Sequence, residues 1–228
     1  MSRHLKKALA LAVLTWLALP AGAANDFSPA ERALFMTNQL ASLRPPVTLN
    51  YRFSKSGSLE AGFEDKVVIK LRAQESGGCC ASSAEFLSGP RRLPLPDVEV
   101  AEGNPAILYF LERDIREMSR LTKGQPNYFR KRIRMAVYQG AQIVDVTLPY
   151  QGKQVAGRQI TIAPYLDDPL KARFEKLAGK QYVFTLSEAV PGGVYAIRAR
   201  IEGESAGATP ALLEEMVLDG AAAEPRKP

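Results

Sequence analysis

Two cysteines stand side by side in this chain, Cys79-Cys80, behind Gly77-Gly78. In an oxidising compartment two thiols normally pair, and neighbours do so only by closing an eight-membered ring. Four readings follow: a vicinal disulfide used as a rigid turn, a redox switch, a soft-metal site, or intermolecular bridges. For Cu(I), Met118 or Met135 would supply further soft ligands. A second candidate is Asp65, which falls on the parity of the apolar residues Phe63 and Val67. A carboxylate there is costly unless paired, and a dry one would have its pKa raised, as suits a proton-transfer or ligand-anchoring acid. The alternative is a β-bulge at Gly62–Asp65 that turns it outward. The third candidate is the basic run Arg130, Lys131, Arg132 and Arg134, flanked by Tyr128, Phe129 and Tyr138. It would meet an anionic membrane surface or an acidic protein, or form a solvated helix face.

What is missing also bounds the chemistry. The single His is His4, and the single Trp is Trp16. Both sit in a stretch that reads as a secretory signal: Arg3, Lys6 and Lys7, then apolar Ala8–Leu19, then the small residues Pro20–Ala24. Cleavage after Ala23 leaves a periplasmic chain of 205 residues without imidazole. Ser-His-Asp triads, Cys-His pairs and His-based zinc sites are then excluded. The reading leans away from an enzyme, and no cofactor is implied. The net charge of +6 falls to +3 without the three basic leader residues, which removes most of the support for nucleic-acid binding.

The elements that must position these groups begin with Val47–Leu71. Val47, Leu49, Tyr51 and Phe53 alternate with polar residues, and after Ser54-Lys55-Ser56-Gly57 the same parity continues from Leu59 to Leu71. This predicts a hairpin with one buried face. Unbroken, the second strand would span about 43 Å, so a bend near Gly62 or Asp65 is expected. Ahead of it, Ser28-Pro29-Ala30-Glu31 is a capping box, opening a helix that Arg44-Pro45-Pro46 ends. Gln74–Gly103 reads as a long crossover, with a flexible loop over Gly77–Ser83 and an edge strand around Ala84–Leu87.

Asn104-Pro105 caps a helix with Ile107, Leu108, Leu111, Ile115 and Met118 on one face and Lys123-Gly124 as its stop. Glu112–Arg116 and Arg113–Glu117 are expected as pairs on its outside. Residues 126–138 fit helix or strand, and the preceding helix favours a helical hairpin. Hairpins follow around Gln151-Gly152 and Pro191-Gly192-Gly193, with a short helix Leu170–Ala178 between them. The predicted architecture is α+β: a curved, half-barrel-like antiparallel sheet of three hairpins with an N-terminal helix and a central helical insertion. The division is residues 1–23 as signal, 24–202 as one domain, and 203–228 as linker, a short helix from Thr209-Pro210 to Leu218, and a disordered tail.

With an N-terminal helix, a curved sheet and a helical insertion, Ser28–Ile201 resembles the periplasmic lipoprotein-carrier half-barrels and related proteobacterial exported proteins. The resemblance is one of architecture. It implies helices over a concave sheet and a cavity for acyl chains, with Tyr51, Phe53 and Phe63 facing the ligand; Asp65, if it faces inward, would give that sheet a polar anchor. The expected function is a non-enzymatic periplasmic binding or carrier protein that holds an apolar ligand, a lipid or a partner segment. The alternatives are an assembly factor docking through the basic helix and a redox or copper-handling protein using Cys79 and Cys80.

Overall fold

The computed structural model describes residues 27–75, 79–205 and 208–222. The expected signal, Gly77-Gly78 and residues 223–228 of the expected tail lie outside them. Eight strands alternate with helical segments: β1 (Val47–Ser56), β2 (Phe63–Ala73), β3 (Cys79–Phe86), β4 (Gln142–Tyr150), β5 (Lys153–Ile162), β6 (Gln181–Leu186), β7 (Val194–Ile201) and β8 (Leu212–Leu218). They form one antiparallel sheet in the order β3-β2-β1-β8-β7-β6-β5-β4, curved and unclosed. Three α-helices among the described residues complete the α+β fold: α1 (Pro29–Glu31), α2 (Pro105–Thr122) and α3 (Pro126–Gln139).

The alternation in β1 does what its period requires. Leu49, Tyr51 and Phe53 are buried, and cross-strand register carries the same face through the sheet. Phe53 lies opposite Met216, Met216 opposite Ile197, Ile197 opposite Phe184, and Phe184 opposite Ile160. Against this face α2 sets Ile107, Phe110, Leu111, Ile115 and Met118, and α3 adds Phe129, Ile133 and Val137. The core is the layer between.

Local signals that need only neighbouring residues hold. Ser28 Oγ accepts the Glu31 N–H at 3.1 Å, and the Glu31 carboxylate accepts the Ser28 N–H at 2.8 Å. Asn104 Oδ1 accepts the Ala106 N–H at 3.0 Å, and Lys123 closes α2 in the left-handed region at φ 58°. Residues 126–138 are helical, as the hairpin reading favoured. The Gln151-Gly152 turn has positive φ at both positions, 47° and 76°, the pattern of a type I′ hairpin turn.

Other expectations are corrected. The first helix does not reach Arg44: a wide turn over Arg32–Met36 ends it. The Thr37 N–H and hydroxyl both reach the Arg32 carbonyl, and Asn38 Oδ1 takes the Leu40 N–H, so local bonds replace further helix. The second strand starts at Phe63, not Leu59. The chain from Gly57 to Gly62 is loop, and Gly57, at φ 133°, lies so close to the Ala211 carbonyl that a Cβ would collide with it. No bulge occurs at Gly62–Asp65: β1–β2 register is regular from Val47–Leu71 to Lys55–Phe63, and the irregularity falls at Arg72/Ala73, against β3.

Cys79–Ser83 is not a loop but the start of β3. Its free edge is covered by the crossover, through Ser82–Val98 and Phe86–Leu93 bridges that satisfy backbone groups otherwise left to solvent. The helix expected at Leu170–Ala178 is two 3₁₀ turns, Lys171–Arg173 and Glu175–Gly179. They break where Phe174 enters an aromatic cluster with Tyr128, Phe129 and Tyr165. The short helix expected to end at Leu218 is β8, paired with β1 on one side and β7 on the other.

Candidate functional site

The residues expected to face a ligand are placed by β1 and β2 under α2. Tyr51 and Phe53 are each 1% exposed. The Phe53 ring meets Phe63 at 5.7 Å, Phe86 at 6.0 Å and Phe110 at 6.4 Å, with the Arg113 guanidinium 4.9 Å above it. Tyr51 Oη accepts from Asn104 Nδ2 at 2.9 Å, and burial pushes its phenol far above the ordinary range. Asp65 keeps the inward parity, opposite Phe53, but sits half-buried near the end of the strand. Its two oxygens accept the Lys66 N–H at 2.9 Å and the Ser88 N–H at 3.1 Å. Desolvation acts to raise its pKa; those donors and the Arg91 charge outweigh it, so the carboxyl lies below the usual range.

Cys79 and Cys80 are joined as a vicinal disulfide, with Cys79 partly and Cys80 fully buried. The Cys80 carbonyl accepts the Ala101 N–H at 2.8 Å, tying the end of the crossover to β3. Of the two methionines considered as soft ligands, Met118 is buried in the core and Met135 is exposed on α3.

The basic run divides along the faces of α3. Arg130 clasps Glu112 through both carboxylate oxygens, at 2.7 and 2.9 Å. Arg132 turns inward to Asp168 at 2.7 Å and to the Pro164 carbonyl at 3.1 Å, and Tyr128 donates to the same Asp168 at 2.6 Å. Lys131 and Arg134 are exposed, and neither has an ion-pair partner among the described residues. The four cations therefore lie on more than one face of α3, with Arg130 toward α2 and Arg132 toward Asp168.

Two features escaped the reading of residue types. One is a buried ionic layer between α2 and the sheet. Asp114 bonds both Lys180 and Tyr182, and all three are at most 2% exposed. Beside them Arg113 Nη1 reaches Glu214 at 2.8 Å, and Lys55 bridges Glu214 at 3.4 Å and Glu60. Arg113 is thus buried and paired with β8, not with Glu117 on the outside, whereas Glu112–Arg116 does pair at 3.5 Å. Burial opposes the charge on Glu214, but Arg113, Lys180 and Lys55 prevail and hold its pKa below the usual range. The spacing Leu111-Asp114-Met118 on the apolar stripe of α2 was the available signal.

The other is a groove of about 920 Å³ on the helical side of the molecule. Its walls are Phe27 and Leu34–Met36, the crossover from Leu95 to Gly103, and the outer faces of α2 and α3. Val100, Leu108 and Met36 lie in it at 66%, 58% and 53% exposure. Apolar side chains so open are ordinary when scattered; here they are clustered in a concavity. None of Tyr51, Phe53, Phe63 and Asp65 lines it. Glu112, Arg116, Arg130 and Arg134 form its charged margin. No helix among the described residues is long and apolar enough to cross a membrane. No protein-family model matches the chain, and no curated protein matches it in sequence.

Proposed function

We propose that the chain is a non-catalytic binding or carrier protein that takes an apolar ligand, or an apolar partner segment, into the groove between Phe27–Met36, the crossover, α2 and α3. The observation that carries this reading is the groove itself. At about 920 Å³ it lies within the range of about 300–1,000 Å³ typical of small-molecule sites. Its walls present Leu108, Val100 and Met36 to solvent, uncovered by any other described residue. The same three side chains cost nothing to desolvate further and gain about 25 cal/mol for each Å² of apolar surface a ligand covers.

On this reading the ligand lies on the helical side and the sheet is scaffold. Tyr51, Phe53 and Phe63, filled by Phe86, Phe110 and Arg113, form the floor on which α2 rests. The half-barrel comparison is retained for the curvature of the sheet, and the site differs from the one that comparison implied. Export to the periplasm through the leader Met1–Ala23 belongs to the same proposal, and the N-terminal sequence of the exported protein should then begin at Ala24.

The test is native mass spectrometry of protein recovered from the periplasm, together with titration of an environment-sensitive apolar dye. Bound mass, or dye binding that a Leu108→Glu, Met36→Glu variant loses, supports the reading. A protein that carries no added mass and leaves the dye unbound overturns it.

A further inference from the structure

Resting on that reading, we infer that the ligand is a single-chain amphiphile with an anionic head, bound with its head at Arg134, Arg130 and Arg116 and its chain running toward Val100 and Met36. The charge is distributed to one end of the groove. Along α2 the lining runs from Pro105 through Leu108 and Leu111 to Glu112, Ile115 and Arg116. At about 1.5 Å rise per residue this stretch covers about 16 Å, and the charged side chains that α2 contributes, Glu112 and Arg116, fall in its second half. Arg116 and Arg130 share one carboxylate, Glu112, at 3.5 and 2.7 Å. Arg134, one turn beyond Arg130, has no ion-pair partner among the described residues. Arg116, Arg130 and Arg134 thus have among them a single paired carboxylate, Glu112, beside an apolar trough.

Two further carboxylates line the groove, Glu31 in the capping box of α1 and Glu102 on the crossover next to Gly103, so the lining as a whole carries three carboxylates and three guanidinium groups; of the three carboxylates, Glu112 is the one paired with the arginines. Guanidinium groups are suited to such a head because their planar donors match a carboxylate or phosphate in pairs and are less strongly hydrated than an ammonium.

The experiment compares three probes with the same chain, each below its micelle-forming concentration: dodecanoate, dodecanol and dodecyltrimethylammonium. Binding is read by displacement of the apolar dye or by calorimetry. Dodecanoate should bind at least tenfold more tightly than the cationic probe. Arg134→Gln should weaken dodecanoate about tenfold while leaving dodecanol unchanged, the loss expected for one charge-assisted bond. Because Arg134 is exposed, the variant should fold as the parent does, which its unfolding curve checks. If all three heads bind alike, or Arg134→Gln leaves dodecanoate unchanged, the head-group inference is overturned and the apolar groove stands. If no probe binds, both fall. Binding only to anionic vesicles, and not to monomeric dodecanoate, also overturns the inference, because it would assign the guanidinium cluster to a membrane surface.

Discussion

Lys180→Met should be among the most damaging single substitutions in this protein. Lys180 is 2% exposed and Asp114 is fully buried, and they meet under α2 with Tyr182 as the second donor to the carboxylate. Removing the ammonium leaves Asp114 in the core with Tyr182 alone, because Arg113 is committed to Glu214. Stranding one charge of a buried pair costs about 3–5 kcal/mol, against a whole stability of about 5–15 kcal/mol for a domain. In a chain of this size that is roughly 6–20 °C in Tm. Replacing both members, Asp114→Leu with Lys180→Met, removes the stranded charge. Tyr182 then loses an acceptor, at about 1–3 kcal/mol, but keeps the Tyr165 hydroxyl at 3.5 Å. The double variant should be more stable than the single by about 2 kcal/mol. Urea denaturation followed by far-ultraviolet circular dichroism measures both, with an unchanged m value as the check that the same structure unfolds. A single variant that loses less than about 1 kcal/mol, or a double variant no better than the single, refutes the assignment of this layer as a coupled buried pair.

Two further predictions concern pH. Glu214, Glu60 and Asp65 have lowered pKa values in the folded chain. Their contribution is therefore complete above the ordinary carboxylate range and is lost as pH falls through their folded values. Stability measured against pH should drop in acid, and Glu214→Gln should flatten that limb. For Tyr182, Tyr165 and Tyr51 the shift is upward, from burial first. Here stability is complete below the ordinary phenol pKa of about 10 and declines above it, as the unfolded chain alone releases those protons. Tyrosinate absorbance in an alkaline titration should show these three of the eight tyrosines ionising only together with the loss of circular dichroism.

How much of this was legible from residue order depended on range. Caps at Ser28 and Asn104, the turn at Gln151-Gly152 and the parity of Leu49, Tyr51 and Phe53 are set within a few residues, and they read correctly. Leu212–Leu218 did not. Its Leu, Glu and Met residues favour a helix when weighed alone, but β1 and β7 offer both edges of a strand, and pairing outweighs propensity. Asp114 was missed because charges on α2 were assigned to its exterior, although Leu111 and Met118 place that position on the buried stripe. The groove was invisible for a different reason. Phe27, Met36, Val100 and Leu108 are unremarkable singly, and only the fold assembles segments that are far apart in sequence.

The position of β8 sets a condition on how the chain can be made. It is the last described strand in sequence, yet it stands fourth in the sheet, joining β3-β2-β1 to β7-β6-β5-β4. Tyr51 pairs with Leu218 across nearly the whole described chain, a contact of the kind that slows folding. Until Leu212–Leu218 has emerged, β1 has an unfilled edge and the two halves have no common seam. The two halves can therefore join only once Leu212–Leu218 is available, the segment acting as the closing tooth of a zip. Loss of that segment would divide the sheet in two.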